Sequence, residues 1–147
     1  MSLFATASDP KHSHISDRVF RLVLWIVPIV ALYMTVMVYG KALQYEVDIT
    51  RASFILMAVI FIIVGNYLPK SRQNYTVGIK TRWALDDPEN WDRTHRFGGY
   101  VFMVGGFLIL ILAILPTLLP YAVLIVAACI GILPTIYSFL FYLKKQK

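Results

Sequence analysis

Apolar residues dominate four long blocks, 22–39, 52–68, 98–115 and 121–143, and none of them contains Asp, Glu, Lys or Arg. A helix rises about 1.5 Å per residue and the hydrocarbon core is about 30 Å thick, so a span needs roughly 17–25 apolar residues. Each block meets that length. The pattern predicts an all-α integral membrane protein with four transmembrane helices over residues 22–143, a tail at 1–21, a polar loop at 69–97 and a basic tail at 144–147. Alternation of the membrane-barrel kind is absent, and open sheet edges cannot be satisfied in lipid. Polar residues precede the first block and no small-residue cleavage site follows it, so that block is expected to stay in the mature protein.

Composition agrees with the blocks. Of the 147 residues, 59% are hydrophobic and 15% charged, against about 45–50% and about 25% in soluble chains. A soluble core of this size could not cover four wholly apolar helices.

The basic residues are unevenly placed, and that placement sets orientation. Lys11, Arg18 and Arg21 precede the first block; Lys70, Arg72, Lys80, Arg82, Arg93 and Arg96 lie around the loop; Lys144, Lys145 and Lys147 close the chain. Only Lys41 and Arg51 remain, between the first two blocks. With four spans, twelve of the 14 Lys and Arg share one side, expected to be the cytoplasm, with both termini inside. Topology and anionic lipid headgroups explain the net charge of +6, so direct nucleic-acid binding is not expected.

Trp25, Trp83, Trp91 and several tyrosines near block ends are expected to anchor at the headgroup layer. Cys129, the single cysteine, reads as a packing residue. Gly98-Gly99, Gly105-Gly106 and Ala127-x-x-x-Gly131 supply small faces where helices can approach, within the protein or in a homo-oligomer. Pro28 and Pro134 lie inside blocks and read as shape.

Pro69 should end the second helix, leaving Asn66 in its last turn as an amide that needs a partner: neighbouring backbone, the loop, or a ligand. The stretch 74–83 alternates β-branched or aromatic with polar residues and could be extended. Asp87, Pro88 and Glu89 then mark a helix start. Along that helix Glu89 and Arg93, and Asp92 and Arg96, are oppositely charged and one turn apart, as are Trp91 and His95. A juxtamembrane helix results, with an ionic face and an aromatic one, bending at Gly98-Gly99 into the third span. The loop has one histidine and no Cys-x-x-Cys, His-Glu-x-x-His or glycine-rich phosphate motif, so neither metal nor cofactor is expected. His95 is open to three roles: structural hydrogen bonding, partner contact, or acid/base chemistry.

These residues resemble the signature of the SdpI-type bacterial toxin-immunity family. The resemblance rests on Gly65-Asn66-Tyr67-Leu68-Pro69-Lys70, on Asn74-Tyr-x-Val-Gly78-Ile-Lys80-Thr-x-Trp83, and on Trp91-x-x-Thr94-His95-Arg96-x-Gly98-Gly99. It extends over about residues 52–143. It implies a non-enzymatic protein of the bacterial cytoplasmic membrane that protects against a secreted peptide or protein toxin. The resemblance also implies a cytoplasmic repressor as a partner, docked on the basic loop. Asn66, Asn74, Gly78, Lys80, Arg82, Trp83, Trp91, Thr94, His95 and Arg96 are then the candidate functional residues. Two other classes stay open. A small-molecule transporter or binding protein is disfavoured by spans without ionisable residues; a membrane enzyme would need His95 and a loop carboxylate as acid and base.

Overall fold

A computed structural model describes residues 17–73, 78–115 and 117–146. The described residues are helical, without strands: α1 (Asp17–Ala42), α2 (Ile49–Tyr67), a 3₁₀ turn (Leu68–Lys70), α3 (Arg82–Asp86), α4 (Pro88–Leu112) and α5 (Leu119–Lys145). Helices α1, α2, α4 and α5 are each long and apolar enough to cross a bilayer.

Local chemistry places the boundaries. Asp48 caps α2 by accepting the Arg51 N–H at 3.0 Å. Pro69 tightens the end of that helix into the 3₁₀ turn. Asp87 caps α4 with Pro88 in its first turn and accepts the Glu89 N–H at 3.1 Å, as the sequence indicates. Pro28 and Pro134 lie within α1 and α5.

Helix α4 is the centre of the bundle, packed against α2 on one side and α5 on the other. Its glycine pairs make this possible. Gly99 and Gly106, two turns apart, face α2: a Cβ at Gly99 would stand 2.7 Å from the Gly65 carbonyl oxygen, and one at Gly106 2.7 Å from that of Ala58. Gly105 faces α5, where a Cβ would meet Val126 Cγ1 at 2.6 Å. Between these contacts lies an apolar core of Ala58, Ile109, Ala113, Leu119 and Val126. Helix α1 is peripheral. It touches α2, with the Tyr33 hydroxyl donating to the Ala52 carbonyl at 3.0 Å, and exposes Trp25, Leu32 and Val36.

The helix expected to start at Pro88 and pass through Gly98-Gly99 into the third span is one helix of 25 residues, Pro88–Leu112, in which the two glycines serve close packing. One expectation is corrected at its edge: of the stretch 74–83, read as able to be extended, Arg82 and Trp83 open the short helix α3, capped by the Thr81 hydroxyl on the Ala84 N–H at 3.3 Å, while 74–77 lie outside the described residues. On the Ala127-x-x-x-Gly131 face, a Cβ on Gly131 would meet nothing within 4 Å.

Candidate functional site

The first two turns of α4 carry polar residues on a face that is nonetheless buried: Asn90, Trp91, Thr94 and His95, one helical turn apart in pairs, all at most 1% exposed. Burying such groups is costly unless each finds a partner. For Trp91 and His95 the loop supplies them: its described residues 71–73 and 78–81, called the strap below, lie against this face.

Trp91 donates its indole N–H to the Ser71 carbonyl at 2.9 Å, fixing the loop's entry. Its ring stacks on the His95 imidazole at 3.9 Å between centroids. Over that stack passes Gly78, with φ +120°. A Cβ there would collide with His95 Nε2 and lie 3.1 Å from the Trp91 ring, so both conformation and space demand glycine. The next residue closes the contact, its Ile79 N–H donating to His95 Nε2 at 3.0 Å. Nε2 is therefore the acceptor, and Nδ1 holds the hydrogen that it donates to the Trp91 carbonyl at 2.8 Å. Both ring nitrogens are engaged, which leaves His95 no lone pair for a substrate. The Ile79 side chain sits on Gly98.

A second set of bonds ties the strap to α5. The Thr81 and Ser138 hydroxyls are 2.8 Å apart. Ser138 donates to Asn90 Oδ1 at 2.9 Å, and Thr94 donates to the same oxygen at 2.9 Å. Since the Ser138 hydrogen is used there, Thr81 is the donor to Ser138. Asn90 Nδ2 completes the ring by donating to the Ser138 carbonyl at 3.0 Å. Gln73 Nε2 donates to the carbonyls of Ala84 and Leu85 at 2.9 and 2.6 Å, holding the end of α3. Among the described residues, no buried side-chain polar atom lacks a partner.

Outside this interior the surface is ionic. Glu89 pairs with Arg93 at 3.1 Å, as the spacing indicates, and Lys145 at the end of α5 bonds Asp87 at 2.7 Å and Glu89 at 3.5 Å. The Lys145 hydrogen bond holds the Asp87 carboxyl below the usual carboxylate range. Arg93 also lies over the Phe141 ring. Among the described residues no ion pair joins Asp92 to Arg96, contrary to the expectation from their spacing; Lys145 and Glu89 hold the ionic face instead. Among the described residues, no three His, Cys, Asp or Glu converge to hold a metal.

The structure thus brings Gly78, Trp91, Thr94 and His95 into one interior cluster. Trp91 is a buried donor and not a headgroup anchor, because its N–H is used inside. Trp83 packs its ring on Phe139 and Tyr142 of α5. Lys80, Arg82 and Arg96 are exposed, as is Asn66 at the end of α2. Asn74 lies outside the described residues. Sequence reasoning passes over Ser71, Asn90 and Ser138. Asn90 stands one turn before Thr94, and Ser138 is a hydroxyl inside an apolar block; either could have been marked as a buried polar group needing a partner.

The model of the SdpI/YfhL protein family matches residues 70–138. The segment 70–138 belongs to the SdpI/YfhL protein family. The polar network fits within that segment, from the Ser71 carbonyl to the Ser138 hydroxyl. The chain is also 30% identical over 104 residues, 70% of its length, to a protein called Immunity protein SdpI in Bacillus subtilis (strain 168). It spans about half the length of that curated relative. No solved structure matches.

Proposed function

We propose that this chain is a multi-pass membrane immunity protein, giving its bacterial host resistance to a secreted antimicrobial toxin. The observation that carries this reading is that the SdpI/YfhL match covers the strap, α3, α4 and most of α5. In this reading Gly78, Thr81, Trp91, Thr94 and His95 position the strap, and the exposed Lys80 and Arg82 form its working surface. The basic excess on that side supports a cytoplasmic orientation for that surface and both termini. A cytoplasmic regulator with an acidic face is a partner suited to it, since rim charges of one sign steer partners of the other.

The test is complementation. A Bacillus subtilis strain lacking its own Immunity protein SdpI, expressing this chain in its membrane, is challenged with the toxin to which that loss makes it sensitive. Survival well above the empty-vector control is expected. Survival equal to that control, with the chain present in the membrane, overturns the reading.

A further inference from the structure

The close approach of Gly65 and Gly99 draws the end of α2 against α4 and leaves an open cavity of about 370 Å³ beside the crossing. Asn66 and Lys70 reach its rim from the end of α2 and the 3₁₀ turn, and Arg96 and Tyr100 from one face of α4. Pro69 and Met103 complete the wall. The lining holds two cations and no carboxylate. Arg96 stands where this cavity meets a second one, lined by Glu89, Asp92 and Arg93. Within the described residues, Arg96 and Lys70 have no ion pair, and the Asn66 amide has no hydrogen bond; Lys70 lies over the Tyr67 ring at 4.7 Å.

Depth adds to charge. Arg96 precedes the apolar run that opens at Gly98, and Lys70 follows the apolar run of α2, so the cavity sits at headgroup level with Met103 toward the hydrocarbon. We propose that this cavity is a binding site for an anionic phospholipid, whose phosphate oxygens accept hydrogen bonds from the Arg96 guanidinium, Lys70 Nζ and Asn66 Nδ2. Planar guanidinium donors suit phosphate oxygens, and charge-assisted bonds are the stronger kind. A zwitterionic choline headgroup would bring a cation among cations and is disfavoured.

The full-length protein in neutral detergent, titrated with dioctanoyl phosphatidylglycerol, dioctanoyl phosphatidylcholine or inorganic phosphate and followed by native mass spectrometry, tests this. Phosphatidylglycerol is expected to bind about tenfold more tightly than phosphatidylcholine. Arg96→Gln and Lys70→Gln should each weaken it about tenfold, and Lys41→Gln, which removes an equal charge at the opposite membrane surface, should leave it within about twofold. Equal binding of the two lipids, or equal loss in Lys41→Gln, overturns the site. Inorganic phosphate competing as well as the lipid overturns the assignment to phospholipid. Because Arg96 and Lys70 lie on different elements, a folding defect in one variant leaves the other to decide.

Discussion

His95 Nε2 accepts the backbone N–H of Ile79 at 3.0 Å, so a side chain of α4 completes the hydrogen bonding of a strap sixteen residues earlier in the chain. The imidazole takes the place of a strand neighbour for a segment that has none.

Replacing that acceptor while keeping a ring isolates its contribution. His95→Phe retains a planar partner for Trp91 but leaves the Ile79 N–H unpaired, at a cost of about 1–3 kcal/mol. Its melting temperature in detergent should fall, and limited proteolysis near residues 78–81 should quicken more than at the 43–48 turn.

Thr81 and Ser138 couple the strap to α5 through one hydroxyl pair. A double-mutant cycle with Thr81→Val and Ser138→Ala should return a favourable coupling of about 0.5–1.5 kcal/mol. Purely additive effects would mean that the two hydroxyls do not bond.

Glycines in this chain divide by what stands opposite them. Gly99→Ala forces a methyl against the Gly65 carbonyl and Pro69, and overpacking of that kind costs about 1–3 kcal/mol. Gly131→Ala faces open space and should change stability by less than about 0.5 kcal/mol. Thermal unfolding of the two variants side by side checks the contrast.

The Asp87–Lys145 clasp gives a pH dependence of known sign. Asp87 titrates lower when folded than when unfolded, so its contribution is present above the unfolded value of about 3.9 and disappears as pH falls through the lower folded value. Asp87→Asn keeps a good helix cap but loses the charge. Its melting temperature should lie below that of the natural protein at pH 7, and the difference should shrink toward pH 3.

The helices were legible because lipid imposes a length and forbids unpaired backbone, so 22–39, 52–68, 98–115 and 121–143 each show as an apolar block. The start of α4 at Pro88 was equally plain from Asp87 and Pro88. The purpose of Gly98-Gly99 within it was not, since glycine marks either a bend or a close approach and only the position of Gly65 decides which. Nor could spacing along one helix show that Lys145, fifty-six residues away, takes the Glu89 carboxylate that also holds Arg93. Gly78, Trp91, Thr94 and His95 were picked from the signature, but their convergence depends on a strap whose path no periodicity records. Ser138 stayed hidden because its partners, Thr81 and Asn90, come from two other elements.

A survival assay at matched membrane levels tests the account most directly. In toxin-challenged cells, the natural chain should protect, while Arg82→Ala, which truncates an exposed side chain of α3, should melt like the natural protein yet lose most of its protection. Full protection by that variant would contradict the assignment of immunity to the strapped basic surface.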